Sequence, residues 1–316
     1  MKTTRQFDGV ERAQLPASPV HLAIGMFDGV HLGHQSVIES AIHSAKADGG
    51  LAGVMTFWPH PSAVVRPDHP TPLIQSCETK RRVLSRLGLD FIIEQHFTKD
   101  YAAIGAREFV PYLLKHLPQL KAIYVGENWR FGRGREGDVA LLVEEAKKAG
   151  LTVVSADRLN HNGAAISSSR IRTLLEAGEI AEANALLGYS YFAEGKVQGG
   201  RRLGREIGFP TLNLAWEPEL KPRYGVYAVS VVDAAGRPSL GVANYGLRPT
   251  IEETRKPLLE VHVLGDTKLG EGSTITVHWL SFLRPEKKFA GVEELRAQIA
   301  QDRQHALGFF ARVAGG

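Results

Sequence analysis

Apolar and polar positions follow two different rhythms along this chain. Val20 to Ile24 is a short, almost wholly apolar run of the kind that fills a buried strand. Val37, Ile38, Ala41, Ile42 and Ala45 then recur three and four residues apart, as one face of a helix does. The exchange repeats, with strands expected over 51–57, 90–93, 121–126 and 151–154 and helices over 78–87, 106–117, 138–149 and 168–177. Strand and helix in turn at this spacing predict a parallel sheet covered on both faces, a doubly wound α/β domain. Near 185–190 the rhythm changes. Short strand-like stretches over 191–197, 226–232, 258–264 and 274–280 alternate with Gly- and Pro-rich turns, and one helix over 292–307 closes the chain. This predicts a small antiparallel β-barrel with a terminal helix, and a division into domains 1–186 and 187–316.

Composition supports that division and narrows the function. A chain of 316 residues is long enough for two separate cores, and 43% hydrophobic with 23% charged residues is ordinary globular material. The net charge of +4 is spread without a basic arm, and no aromatic–basic platform accompanies it, which argues against a nucleic-acid partner. A single cysteine, Cys77, rules out an internal disulfide framework and suits a reducing cytoplasm. No apolar run approaches the ~18 residues of a membrane span, and the first residues lack a signal-peptide core, so a cytoplasmic protein with no membrane partner is expected. The sequence carries no mark of an oligomeric state.

Candidate chemistry clusters where strands end. Gly25-Met26-Phe27-Asp28-Gly29-Val30-His31-Leu32-Gly33-His34 joins the first strand to a helix N-terminus, where free N–H groups and the helix dipole favour anions. Gly25, Gly29 and Gly33 permit a sharp turn and close approach to a ligand. Imidazoles beside such a cradle suit a polyphosphate, although a zinc pair or plain surface histidines fit the spacing too. Phe57-Trp58-Pro59-His60-Pro61 reads as a stiff extended loop with an aromatic wall for a flat heterocycle, or as simple packing. Gly126-Glu127-Asn128-Trp129-Arg130-Phe131-Gly132 carries the same two readings. Ser167-Ser168-Ser169-Arg170-Ile171-Arg172 supplies hydroxyls and guanidinium at a helix start, for capping or for phosphate.

The second half adds a glycine-rich basic run, Gly199 through Gly204 and Gly208 to Phe209-Pro210-Thr211-Leu212-Asn213. No Gly-Lys-Ser/Thr follows its glycines, so it is not a P-loop, and a merely flexible loop is its alternative. The two-residue period of an extended segment places Thr211 and Asn213 on one side, where a hydroxyl and an amide oxygen suit a hard cation such as Mg²⁺. In Leu258-Leu259-Glu260-Val261-His262-Val263, Glu260 and His262 share a face. Glu260 is then a solvated carboxylate or a general base.

Taken in order, these motifs resemble the bacterial bifunctional riboflavin kinase/FAD synthetases, over roughly residues 18–310. The first set is similar to the ATP signature of their nucleotidyltransferase-like (Rossmann-like) half. The second is Gly-Phe-Pro-Thr-x-Asn, Gly225-Val226-Tyr227-Ala228, Asn244-Tyr245-Gly246-Leu247-Arg248-Pro249-Thr250 and Glu-Val-His, as in riboflavin kinases. The resemblance implies ATP contacts at Gly25, Phe27, Asp28, His31, Gly33, His34, Ser168, Ser169, Arg172, Gly204 and Gly208. It implies flavin contacts at Phe57, Pro59 and Asn128, Mg²⁺ at Thr211 and Asn213, and Glu260 as the base for the ribityl 5′-hydroxyl. Riboflavin, FMN and ATP are then the small-molecule partners. Trp58, Leu212, Tyr245 and Leu269 depart from the family pattern without removing a chemical group. The competing readings are one active domain beside a regulatory one, and an RNA-binding protein on a nucleotidyltransferase-like fold.

Overall fold

The computed structural model of the chain describes residues 3–199, 208–247 and 257–315 and divides into two compact units, Met1–Ser168 and Ser169–Gly316. Gly204, with the rest of 200–207, and the Arg248-Pro249-Thr250 motif lie outside the described residues.

In the first unit β1 (Arg5–Asp8), β2 (Val20–Ile24), β3 (Leu51–Trp58), β4 (Phe91–His96), β5 (Leu120–Gly126) and β6 (Thr152–Ala156) form one sheet in the order β1-β4-β3-β2-β5-β6. Every pair is parallel. Helices α1 (Leu32–Ala47), α2 (Pro61–Val65), α3 (Cys77–Ser85), α4 (Lys99–Ala102), α5 (Ala106–His116) and α6 (Val139–Lys148) make the connections, and a two-residue hairpin, β7 (Asn160–His161) with β8 (Ala164–Ala165), follows β6. All of β2 is buried, as its apolar run requires of a central strand. Strand order reverses between β2 and β5, and in open α/β sheets the crevice outside the carboxyl ends at such a switch is where ligands bind.

One sequence expectation needs correction here, and one strand adds to those expected. β4 runs on through Glu94, Gln95 and His96, which pair with Thr56, Phe57 and Trp58. Buried Gln95 is tolerated because its Oε1 accepts the Val10 N–H at 2.8 Å. The edge strand β1, mostly polar and exposed, offers Phe7 alone as an apolar signal.

Helix α7 (Ser168–Ala177) begins at the break between the units and α8 (Ile180–Leu187) follows. β9 (Phe192–Gln198), β10 (Leu212–Leu214), β11 (Gly225–Asp233), β12 (Pro238–Leu247), β13 (Pro257–Val263) and β14 (Thr274–Pro285) close into an antiparallel barrel in the order β10-β13-β12-β11-β14-β9. Six strands replace the four expected, because β10 is very short and Gly241 and Gly246 blur the alternation in β12. The barrel is filled by aromatic rings: Tyr191, Tyr227, Tyr245 and Trp279 are buried, with Trp279 4.4 Å from Tyr227 and 5.5 Å from Tyr245. Asn184 of α8 donates to Trp279 O at 2.8 Å and accepts the Tyr191 N–H at 2.7 Å, stitching that helix to β14 and to the residue that leads into β9. The terminal helix α9 (Val292–Ala314) passes the expected end at 307 by tolerating Gly308 in its interior. A two-pronged Arg284–Asp302 pair at 2.7 and 2.6 Å fastens α9 to β14.

Candidate functional site

At the carboxyl end of β2 the chain turns into α1 under backbone strain. Phe27 (φ 49°) and Val30 (φ 39°) join Gly29 (φ 82°) in the left-handed region. Each non-glycine residue there costs on the order of 1–3 kcal/mol, more for a β-branched one, and persists only where the surroundings hold it. Fasteners surround this turn. Met26 O accepts from Lys80 Nζ at 3.2 Å and Thr56 Oγ1 at 3.0 Å. Asp28 O accepts from Ser168 Oγ at 2.8 Å, and the Asp28 carboxylate accepts the Ile74 N–H at 3.0 Å. Asp28, which the sequence reading put beside the phosphates, is buried at 3% exposure, and its carboxylate fastens the loop to Ile74.

His31 is the N-cap of α1, its Nδ1 accepting the His34 N–H at 3.3 Å, which leaves the ring proton on Nε2. Its imidazole folds over Gly33, where a Cβ would stand 3.3 Å from the ring, so the glycine makes room for the cap. His34 stacks on it and meets the Phe27 ring edge-on at 5.4 Å. The His34 Nδ1 is buried with no hydrogen-bond partner among the described residues. Burial, reinforced by His31 and Lys80, holds His34 well below the ordinary imidazole value. Thus the α1 N-terminus presents a neutral His34 beside the helix amides. Among the described residues, no group of three or more His, Cys, Asp or Glu is placed to hold a metal ion.

Ser168 reaches this loop, whereas Ser169 and Arg172, one turn along α7, belong by their packing to the second unit. Phe57 is a core residue, its ring 6.0 Å from Phe97 and 5.9 Å from Tyr101, and Trp58 is the exposed aromatic of that loop. Pro59 follows it. The expected extended loop ends sooner than its prolines imply, because Pro61 opens α2 and His60 caps it through Ser62 N–H at 3.1 Å. Asn128 is exposed beyond β5 and donates to Glu127 at 2.8 Å, while Trp129 stacks on Phe131.

The barrel carries the second set of residues on its outer wall. Leu259, Val261 and Val263 point inward and are buried; Leu258, Glu260 and His262 alternate with them facing out. Glu260 pairs in register with Asn213 of β10 on one side and Asn244 of β12 on the other. Two cavities meet here. One, of about 220 Å³ between barrel and α9, includes Thr211, Glu260, Asn244 and Glu286; the other, of about 590 Å³, includes Gly208, Thr211 and Asn213. Phe209, Thr211, His262 and Arg303 border both. The His262 Nδ1–H donates to Pro210 O at 2.9 Å, fixing the chain that leads into β10. Asn213 Oδ1 is buried with no hydrogen-bond partner among the described residues. Burial, with Glu260 nearby, raises the Glu286 carboxyl above the usual carboxylate range. The sequence reading left Asn244 and Glu286 without a role, and Lys80 as well; for Lys80 a signal existed, a cation in helical register with apolar Val83 and Leu84.

Comparison with known proteins bears on both units. A family model described as FAD synthetase matches residues 14–170, and one described as riboflavin kinase matches residues 187–310. The bifunctional riboflavin kinase/FMN adenylyltransferase of Escherichia coli (strain K12) is 37% identical over 299 residues, 94% of this chain and 95% of its own. The protein of the same description from Bacillus subtilis (strain 168) is 36% identical over 297 residues, 92% and 93% of the two chains. A crystal structure described as that of a macrolide-efflux protein from Streptococcus pneumoniae superposes with a TM-score of 0.84 at 28% identity, over 95% of this chain and 97% of its own. No helix among the described residues of the present chain is long and apolar enough to cross a membrane.

Proposed function

The chain belongs to the bifunctional riboflavin kinase/FMN adenylyltransferase family, and on that footing we propose how its two units divide the work. The enzyme phosphorylates riboflavin with ATP to give FMN, and joins AMP from a second ATP to FMN to give FAD and pyrophosphate. We assign the kinase to the second unit and adenylyl transfer to the first, with the functional boundary between residues 186 and 187.

The observation that carries the kinase assignment is the pair of cavities meeting at Thr211, with Asn213 on one side and Glu260 on the other. Mg–ATP occupies the larger cavity, over Gly208, and riboflavin the smaller, under α9. Glu260 accepts the proton of the ribityl 5′-hydroxyl as that oxygen bonds to the γ-phosphorus and the bond to ADP breaks. Thr211 and Asn213 would hold Mg²⁺; the orphaned Asn213 Oδ1 and the neighbouring hydroxyl are the hard oxygen donors such an ion takes. When bound, that ion neutralises and aligns the ATP phosphates.

In the first unit the ATP phosphates lie on the α1 N-terminus, close to the backbone from Gly25 through Phe27 to Gly33. A phosphate oxygen of FMN attacks the α-phosphorus and pyrophosphate leaves. His31 Nε2–H and His34 stabilise charge on the phosphates in flight, and Ser168, which bonds to Asp28 O, adds a hydroxyl to the cradle. The Phe57–Pro59 loop and Asn128 lie on the flavin side. With its one cysteine reduced, we place the reaction in the cytoplasm. Incubating the protein with riboflavin, Mg²⁺ and ATP and separating the flavins tests the reading: FMN should appear first and FAD follow. FMN without FAD, or neither, would overturn it.

A further inference from the structure

Lys80 is the least expected side chain in the first unit. It sits on α3 with only 5% of its surface exposed, at a position where Val83 and Leu84 define the buried face. Its ammonium turns to uncharged oxygens. It donates to Met26 O at 3.2 Å and Thr56 Oγ1 at 2.8 Å, and approaches Phe57 O at 3.5 Å. Asp28 and Glu94 act on it only through space. Burying a charge is costly unless its donors are satisfied, so an apolar residue would be the cheaper occupant of this site. Its three partners explain what the charge does there. Met26 opens the strained turn that ends in His31, and Thr56 and Phe57 lie near the end of β3, which stops at Trp58 just before Pro59. Thr56 is itself fully buried and donates to Met26 O, so the two loops share one polar knot with Lys80 at its centre.

We propose that Lys80 is a positioning residue for adenylyl transfer: it fixes the nucleotide loop against the end of β3, and so sets the register between the ATP carried by one and the flavin carried by the other. The inference rests on the reading of this unit as the adenylyltransferase. It belongs to the turnover step, because the hydrogen bonds of Lys80 go to Met26, Thr56 and Phe57, while its charge reaches His34 only through space. A displacement of about 1 Å between reacting groups is enough to cost on the order of 10²-fold in rate.

The test uses full-length protein supplied with FMN, Mg²⁺ and ATP, with riboflavin phosphorylation followed in parallel. Lys80→Met should lower kcat for FAD formation by about 10- to 100-fold, with KM for ATP and FMN within about threefold and riboflavin phosphorylation unchanged. Thr56→Val, which removes one strand of the knot and keeps the cation, should give a smaller loss of the same kind. Should Lys80→Met fail to fold, Thr56→Val decides alone, and a normal kcat in that folded variant would overturn the proposal. So would a normal kcat in folded Lys80→Met, or equal losses in both activities. If the unaltered enzyme makes no FAD from FMN, the adenylyltransferase reading itself fails, a result distinct from either.

Discussion

The imidazoles of His31 and His34 lie face to face, their centroids 3.6 Å apart and their planes 16° from parallel. The stack is built by the helix start itself: His31 caps the His34 amide, and the chain between them is short enough that the second ring must lie over the first. Two cationic rings at this distance would repel each other, so the arrangement suits neutral hydrogen-bond donors.

Removing the pair should therefore separate the two activities. With His31→Ala and His34→Ala together, FAD formation from supplied FMN should fall by at least 10²–10³-fold, the usual cost of one charge-stabilising donor. FMN formation from riboflavin should persist. Product chromatography on the two reactions measures this, and parallel loss of both would mean a shared site or misfolding.

His34 also predicts a pH dependence of stability. Its folded-state value is depressed, so as pH falls below about 6.5 the unfolded chain takes up the proton first. Stability of the first unit should thus decline from about pH 6.5 downward, and be fully present above it. Denaturant titrations at several pH values between 7.5 and 5.5 should show this slope in the parent and a flatter one in His34→Gln. Identical slopes would contradict it.

Glu260→Gln should keep the barrel intact while removing the proton acceptor. Kinase turnover should drop by about 10²–10⁴-fold, riboflavin and Mg–ATP should still bind, and FMN adenylylation should be untouched. Asn213→Ala should differ by raising the KM for Mg–ATP, since it removes a hard oxygen rather than a base. Steady-state kinetics with flavin binding by fluorescence separates the two; near-normal turnover in Glu260→Gln would return it to a solvated carboxylate.

The barrel's independence has a sharp boundary test. Residues 169–316 expressed alone should unfold cooperatively and phosphorylate riboflavin. A version starting at 187 loses α8, and with it the Asn184 bonds to Trp279 and Tyr191 and the buried Ile180, Ala183 and Leu186. It should melt at a clearly lower temperature. Equal melting temperatures would show that α8 adds nothing to the barrel.

What the sequence made legible follows from how each feature is encoded. Buried parallel strands such as β2 need unbroken apolar runs, and helices such as α1 need a repeating stripe, so the first unit's architecture is written locally. So is the His31 cap, because a strand end, a glycine and a helix start lie within a few residues. The pairing of Asn213 with Glu260 is not, since register between distant strands depends on the whole barrel closing. Phe57 is ambiguous for a related reason: an aromatic residue at a strand end looks the same in sequence whether it faces a ligand or packs inward, and its ring lies beside Phe97 and Tyr101. Val30 shows the limit of residue preference, taking a left-handed turn that a glycine-based reading assigns to its neighbours.

The alternation along β13 has an evolutionary consequence. One side of that strand, with Leu259, Val261 and Val263, settles how firmly the barrel holds together, and the opposite side, on the role proposed for Glu260, bears on what it does. A lineage adapting to heat or cold can exchange the inward residues one at a time while the phosphoryl-transfer apparatus stays as it was. Selection on flavin supply can likewise rework the outward ones without loosening the scaffold. The wall of the barrel thus separates two heritable traits within a single strand.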